Sequence, residues 1–159
     1  MEKFYIFFLL CYIHVNGGMN MNSIFVGVIG YLIGSISPSY FLGKLKGINV
    51  KENGSGNLGA SNTVVLFGWK AGIFVAIHDI LKAILAIVIA RVFFHDVAYA
   101  SEIAGVSCVV GHIFPFYLKF NGGKGFASYI GMMLALDFKL VMKAVVGMDR
   151  WIDLLKTAI

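Results

Sequence analysis

Charged side chains are scarce in this sequence, and their scarcity excludes an ordinary soluble domain. Asp, Glu, Lys and Arg make up 13% of the 159 residues, whereas hydrophobic residues make up 59%. Soluble globular domains carry about 25% charged residues, roughly twice the fraction in this chain. Because only lipid can accommodate so much excess apolar surface, we predict an integral membrane protein.

The sequence also lacks the signatures of common catalytic and metal sites. Cys11 and Cys108 lie in separate apolar stretches, without metal-ligand spacing or the pattern of a disulfide framework. There is no G-x-S-x-G nucleophile elbow and no H-E-x-x-H zinc motif. None of the four histidines is followed by the aspartate of a His-x4-Asp acyltransferase. We therefore expect no metal, no cofactor, and no obvious nucleophile or base.

Long uncharged runs predict an all-α fold, a polytopic bundle of transmembrane helices. We divide the chain into an N-terminal extension with a short apolar run (1–22), a membrane domain (23–147) and a divergent tail (148–159). A helix needs about 20 apolar residues to cross a bilayer. Three segments reach that length and a fourth does so in part: 23–43, 71–90, 97–118 and 126–147.

The formal net charge is +5, and six lysines lie in or beside two glycine-rich loops, residues 44–68 and 119–125. The turn between the second and third spans is flanked by Arg91 alone. Since basic residues concentrate on the cytoplasmic side, we expect both loops to face the cytoplasm and to converge there. This pattern favours the lipid bilayer and a phosphorylated small molecule as partners, and it argues against nucleic acid.

The first loop has the composition of an anion-binding turn. Residues 54–62 read GSGNLGASN, in which Gly54, Gly56 and Gly59 formally match G-x-G-x-x-G. A dinucleotide-binding fold is excluded because no β-strand precedes the glycines and Asp79, 20 residues further on, lies inside a span. Glycines can still direct several backbone N–H groups at one anion. The alternative is a tight turn between helices.

The second loop combines glycine with lysine. Residues 122–125 read GGKG, which puts an ammonium group beside an unhindered backbone and favours phosphate binding. It is not a Walker A loop, since Gly125 stands where Ser or Thr should follow Lys124. Lys119 and Lys124 can also be ordinary membrane-surface anchors. His112 can be a general base, a hydrogen-bond donor to phosphate, or a packing residue.

Polar residues inside the spans have structural alternatives to a functional role. Pro38 interrupts the backbone hydrogen bonding of the first span, and the nearby serines, Ser35 among them, can satisfy the freed groups. Asp79 and Lys82 are three residues apart on one helix face, so they can neutralise each other in lipid.

Taken in order, these motifs resemble the bacterial acyl-phosphate:glycerol-3-phosphate acyltransferases, the PlsY family. The likeness covers about residues 24–136, and the Asp79 and Lys82 pair also fits it. Its three motifs are Gly34-Ser35-Ile36 with Gly43-Lys44, the loop 54–62, and Gly111-His112 with the loop 119–125.

The resemblance implies transfer of a fatty acyl group from acyl phosphate to the 1-hydroxyl of sn-glycerol 3-phosphate. The products are lysophosphatidate and phosphate, formed in phospholipid synthesis at the bacterial inner membrane, without acyl-CoA or a metal. Acyl phosphate is already activated, so the protein need only align two phosphorylated substrates and offset their repulsion.

The resemblance also implies which residues form the site. Four residues are assigned to catalysis: Ser35, Lys44, His112 and Lys124. Ten are assigned to binding of the substrate or its phosphate: Gly54, Ser55, Gly56, Asn57, Gly59, Asn62, Lys82, Lys119, Gly122 and Gly123.

The chain departs from the family pattern at several positions. Val65 stands where the family has Arg, Asn121 where Lys is common, and residues 49–51 read NVK in place of Asp-Ile-Arg. Family members continue through further spans, and we expect this chain to be a truncated copy. Two other functions therefore stay open: a catalytically inactive truncated homologue and, less favoured, a small anion transporter subunit.

Overall fold

A computed structural model of the chain describes residues 21–137, and every regular element in that range is helical. This confirms the expected all-α architecture. A 3₁₀ turn, Phe116–Leu118, follows the fifth α-helix. The α-helices are α1 (Met21–Ser35), α2 (Pro38–Leu45), α3 (Ala60–Phe67), α4 (Trp69–Phe93), α5 (Ala100–Ile113) and α6 (Phe126–Leu136).

Three stretches are long and apolar enough to cross a membrane: Met21–Leu45, Trp69–Phe93 and Ala100–Leu118. They overlap the three full spans expected from the sequence. The first two have 25 residues each, about 37 Å as helix, which exceeds a hydrocarbon core of roughly 30 Å. The chain is thus a multi-pass membrane protein.

The outer parts of the predicted domain division lie beyond the described range. The short helix α6 covers the first 11 residues of the expected partial span, and the part of that span after residue 137 lies outside the described residues. The tail 148–159 and all but the last two residues of the extension 1–22 lie outside them as well.

The first span is broken at residues 36–37, where α1 ends and α2 begins. Pro38 has no backbone N–H to donate and occupies the first turn of α2, a position that suits its fixed φ. Ser37 caps the new helix because its hydroxyl accepts from the backbone N–H of Tyr40 at 3.4 Å. The break frees carbonyl groups inside the bundle, where other side chains must satisfy them.

The helices α1 and α5 pack with their backbones in direct contact. A Cβ on Gly34 would overlap the carbonyl oxygen of Cys108, and one on Gly30 would lie 2.6 Å from the carbonyl oxygen of Ala104. Small residues spaced four apart allow this approach between membrane helices, where van der Waals packing takes the place of the hydrophobic effect.

The buried core among α1, α4, α5 and α6 consists mainly of small side chains. Ala83, Ala86 and Ile87 of α4 belong to one cluster with Ala104 and Cys108 of α5, and each is at most 1% exposed. The opposite face of α4 carries exposed apolar residues at helical spacing, as a lipid-facing helix does. These residues are Ile73, Ile77, Leu81, Leu85, Val88 and Val92.

The glycine-rich pattern predicts one loop over residues 44–68, and the structure corrects this prediction at both ends, since residues 44–45 belong to α2. Ala60–Phe67 forms α3, which packs against α4. Gly68, with φ +86°, turns the chain between the two helices. Eight residues are too few to form a stable helix alone. The helical conformation of α3 therefore depends on its packing against α4, and no local pattern in the sequence predicts it.

We expect Gly34→Ala to destabilise the fold, because its methyl group would meet the Cys108 carbonyl. Forced overpacking typically costs about 1–3 kcal/mol, which thermal unfolding of the purified protein in detergent measures as a lower Tm. Gly27→Ala is the matched control on the same helix, since its Cβ would lie at an ordinary 3.6 Å from Oγ of Ser107. Equal Tm values for the two variants would contradict the packing argument.

Candidate functional site

Three side chains donate to backbone carbonyl groups at the break in the first span or just before it. Lys82 of α4 donates from Nζ to the carbonyl oxygen of Ile36 at 2.9 Å. Tyr117 donates from its hydroxyl to the carbonyl oxygen of Ser35 at 2.7 Å. The Ser35 hydroxyl donates to the carbonyl oxygen of Tyr31, one turn earlier, at 2.8 Å. Lipid could not satisfy these backbone acceptors, and the side chains that bond to them connect other parts of the bundle to the first span.

Lys82 also belongs to a buried cluster with Asp79 and His112. Its Nζ lies 2.8 Å from Oδ1 of Asp79 and 2.8 Å from Nδ1 of His112. The contact with Asp79 is an ion pair by distance, although its angles are not those of a hydrogen bond. Asp79, Lys82 and His112 are 1%, 4% and 6% exposed. The two opposite charges compensate each other, and removing either would leave a buried charge unpaired.

The second glycine-rich loop folds back onto the end of α5 at His112. The N–H of Gly123 donates to the His112 carbonyl at 3.1 Å, and the N–H of Gly122 donates to the Ile113 carbonyl at 2.8 Å. A Cβ on Gly123 would overlap Nε2 of His112. The glycine pair therefore lets this loop lie directly against the imidazole.

The first glycine-rich loop is organised around the buried side chain of Asn62, which is 1% exposed. Its Nδ2 donates to the carbonyls of Val50 and Asn53, both at 3.2 Å. Its Oδ1 accepts from the N–H of Ser55 at 2.8 Å. Gly54 has φ +63°, and a Cβ there would overlap that Oδ1. Asn62 thus shapes the loop, and its direct contact with substrate stays a prediction.

Lys51 joins the two glycine-rich loops at one end of the bundle. Its Nζ donates to the carbonyl oxygen of Leu118 at 2.8 Å. Partial burial, together with the positive charge of Lys119, lowers the pKa of Lys51. Neither lysine forms an ion pair within residues 21–137. This pair of mutually repelling cations therefore has charge available for an anion.

The other residues assigned from the sequence lie at the surface of the same end or within the first loop. Lys44, in the last turn of α2, and Lys124 are exposed and make no hydrogen bond or ion pair to any described residue. Within residues 21–137, no group of three metal-ligating side chains occurs. The remaining residues of the first loop are Gly54, Ser55, Gly56, Asn57 and Gly59.

Sequence reasoning missed the two tyrosines that tie α1 to the segment after α5. Tyr31 donates from its hydroxyl to the carbonyl oxygen of Phe114 at 2.7 Å, as Tyr117 does to Ser35. Tyr117 also packs its ring against Tyr40, with centroids 5.8 Å apart. The signal was present, since a tyrosine inside an apolar span needs a partner for its hydroxyl, but the partner could not be read from sequence.

Comparison with known proteins gives a consistent result. A family model described as glycerol-3-phosphate acyltransferase matches residues 24–149. The glycerol-3-phosphate acyltransferase 1 of Oceanobacillus iheyensis is 38% identical over 129 residues, 77% of this chain and 62% of that protein. The glycerol-3-phosphate acyltransferase of Bacillus subtilis is 47% identical over 108 residues, 67% of this chain and 55% of that protein.

The fold is also similar to that of solved structures. A crystal structure of PlsY (YgiH), an integral membrane glycerol 3-phosphate acyltransferase in its glycerol 3-phosphate form, matches with TM-score 0.70 and 32% identity. The match covers 82% of this chain and 66% of that one. Its lysophosphatidic acid form matches with TM-score 0.68, covering 79% and 62%. The chain thus spans roughly three fifths of the length of these relatives.

We expect Asn62→Asp to loosen the first glycine-rich loop, because the two amide donors become a carboxylate facing carbonyls. Each buried group left without its partner costs about 1–3 kcal/mol. Limited trypsin digestion should cleave after Lys51 faster in this variant, and its Tm should fall.

Asn57→Asp is the control, since it makes the same chemical change in the same loop. The Asn57 side chain makes no hydrogen bond to a described residue. If both variants are cleaved at the wild-type rate, Asn62 does not hold the loop.

Proposed function

The chain belongs to the glycerol-3-phosphate acyltransferase family, and we propose that it transfers a fatty acyl group from acyl phosphate to glycerol 3-phosphate. The 1-hydroxyl oxygen of glycerol 3-phosphate attacks the acyl carbonyl carbon, and the bond from that carbon to the phosphate oxygen breaks. The hydroxyl proton passes to the departing phosphate. The products are lysophosphatidate and inorganic phosphate, for phospholipid synthesis.

One observation carries this proposal: two lysine-bearing, glycine-rich loops meet at one end of a membrane bundle. Lys51 of one loop bonds to Leu118 beside the other, and Lys51 and Lys119 repel each other without an acidic partner in the described range. Both substrates carry phosphate, so bringing them together requires positive charge that is not already neutralised. An activated acyl donor then needs alignment more than a nucleophile from the protein.

A groove beside the buried cluster supports the proposal that the protein binds an acyl chain. A groove of about 540 Å³ runs between α1 and α4, and Lys82 lies in its wall. Apolar side chains form most of the lining: Ile33, Ile36, Phe74, Ile77, Leu81, Ile84, Leu85 and Val88. A groove of this chemistry suits a hydrocarbon tail that enters from the bilayer.

The residue roles are proposed accordingly. Exposed lysines bind the two phosphates, and backbone N–H groups of the first glycine-rich loop add donors. Ser35 lies where the first span breaks, with its carbonyl held by Tyr117. The lysines concerned are Lys44, Lys119 and Lys124, and the glycine-rich segment is 54–59. Gly122 and Gly123 shape the second loop, since their N–H groups already bond to the carbonyls of Ile113 and His112.

A second candidate, a catalytically inactive homologue, is favoured by Val65. This side chain is 73% exposed on α3, at the position where the family pattern has an arginine. A guanidinium group at that position could reach a ligand, whereas valine offers no donor. Catalysis assays therefore have to be made on this chain itself.

We expect the purified chain in detergent to form labelled lysophosphatidate from acyl phosphate and radiolabelled glycerol 3-phosphate. Lys124→Ala should lower the rate by about 10²-fold, the usual effect of removing one group that stabilises developing charge. Ser35→Ala should also lower it. A relative that has the arginine at the Val65 position serves as positive control.

Lys46→Gln is the matched control for charge at the same end of the bundle. Lys46 lies over the ring of Phe67, 5.6 Å from its centroid, and it has no proposed part in catalysis. If this chain forms no product while the relative is active, the chain is a catalytically inactive homologue. Equal losses in Lys46→Gln and Lys124→Ala would reduce the role of Lys124 to general surface charge.

We propose that both glycine-rich loops face the cytoplasm of a bacterial cell, in its inner membrane. In a Cys11→Ala background, a membrane-impermeant maleimide should label Asp96→Cys in intact cells but Glu52→Cys only after permeabilisation. Both positions are exposed: Glu52 lies in the first glycine-rich loop, which precedes α4 in the chain, and Asp96 follows the end of α4. The reverse labelling pattern would show that the loops face outward.

A further inference from the structure

We propose that His78 donates a hydrogen bond from Nε2 to the carbonyl oxygen of the acyl group in the groove between α1 and α4. The three sequence motifs do not include this histidine, and the proposed residue roles leave it unused. The identity of the ligand rests on the proposed acyl transfer, while the contact itself can be measured by binding, without turnover.

The wall of the groove that α4 forms has two polar side chains followed by an apolar end. His78 and Lys82 both line the groove, and residues four apart share one face of a helix. Beyond Lys82, the α4 lining consists of Ile84, Leu85 and Val88. An amphiphilic ligand therefore fits with its hydrocarbon tail along the apolar end and its polar end beside His78 and Lys82.

The imidazole of His78 has no hydrogen-bond partner in the described part of the chain. Its Nδ1 is fully enclosed and makes no hydrogen bond to any residue between 21 and 137. Lys82, by contrast, contacts three polar groups. Buried polar atoms are normally hydrogen-bonded, and an exception costs the fold free energy that a leucine would avoid. A ligand therefore explains the imidazole better than packing does.

Charge and enclosure place the proton of His78 on Nε2. The carboxylate of Asp79 already compensates Lys82, so a second cation beside them would be unbalanced inside the bundle. The ring is therefore neutral and has one N–H. On Nδ1 this proton would be enclosed without an acceptor, and orphaned buried N–H groups are rare. On Nε2 it lies on the ring edge that a ligand in the groove can reach.

An acyl phosphate has its carbonyl oxygen where the tail meets the phosphate. Ile36, at the break in the first span, lines the same groove and accepts from Lys82 at 2.9 Å, and Ser35 precedes it. The polar end of the groove thus lies beside the proposed reacting centre. The carbonyl oxygen gains negative charge when the glycerol hydroxyl attacks the carbonyl carbon, and a donor aimed at this oxygen stabilises that charge.

The first test compares two ligands that acyl transfer cannot consume. One is the β-ketophosphonate analogue of acyl phosphate, with CH2 in place of the bridging oxygen, and the other is the alkylphosphonate of the same length without the carbonyl. We expect the wild type to prefer the ketone, and His78→Leu to lose about two- to tenfold of that preference, the usual effect of one hydrogen bond. Microscale thermophoresis in one detergent measures both Kd values, and comparing their ratio between proteins cancels partition into micelles.

Two further variants serve as controls. His78→Gln keeps an N–H donor in the same wall and should retain the preference for the ketone. Phe74→Leu changes a groove residue without a donor, whose ring centroid lies 6.5 Å from that of the imidazole, and should change both Kd values by the same factor. The proposal is overturned if His78→Leu keeps the wild-type preference, if Phe74→Leu loses it equally, or if the wild type binds neither ligand.

The second test separates this contact from a packing role. Because Nδ1 has no partner between residues 21 and 137, His78→Leu should keep Tm at or above the wild-type value. It should nonetheless lower kcat by about tenfold or more, since the donor is worth most in the transition state. A fall in Tm that accompanies the loss of kcat would make His78 a packing residue. If the wild-type chain forms no lysophosphatidate, acyl transfer fails as its function, while the ratio of Kd values still decides whether His78 binds the carbonyl.

Discussion

The ammonium group of Lys82 is the interaction on which the arrangement of this bundle depends. It links three elements at once: its own helix through Asp79, the break in the first span through Ile36, and α5 through His112. In a bilayer none of these partners can be replaced by water, so each would be costly to leave unsatisfied. The loss of this single cation would free a carboxylate, a carbonyl and an imidazole in the same place.

Glycine has two separate uses here, and they connect packing to function. Between α1 and α5, Gly34 brings one backbone onto the Cys108 carbonyl, which sets how closely the two membrane helices approach. At the loops, Gly123 lets the backbone lie on the His112 ring, and Gly54 makes room for the Asn62 amide. Close approach of the backbone at glycine therefore has two results: it packs α1 against α5, and it places both loops against buried polar side chains.

The lysines at this end of the molecule are of two kinds, one buried and ion-paired and the others exposed or partly exposed. Lys82 is buried and paired with Asp79, whereas its binding to substrate stays a prediction. Lys51 and Lys119 repel each other at the loops, and an anionic ligand would relieve that repulsion. The proposed reaction between two phosphorylated molecules needs both kinds of cation. The buried one holds the helices in place, and the exposed ones have charge that no acidic residue in the described range neutralises.

The sequence by itself determined the membrane class, the three spans and the family, because each depends on local quantities: apolar run length, lysine position and glycine motifs. The Asp79 and Lys82 pair could also be predicted, since three residues separate them on one helix. Only the tertiary structure decided that Lys82 reaches Ile36 and His112, that Tyr117 holds Ser35, and that Asn62 organises the first loop. It also decided that Ala60–Phe67 is helical. These contacts join residues far apart in the chain, and hydropathy and spacing describe neighbours only, so no pattern along the sequence could specify them.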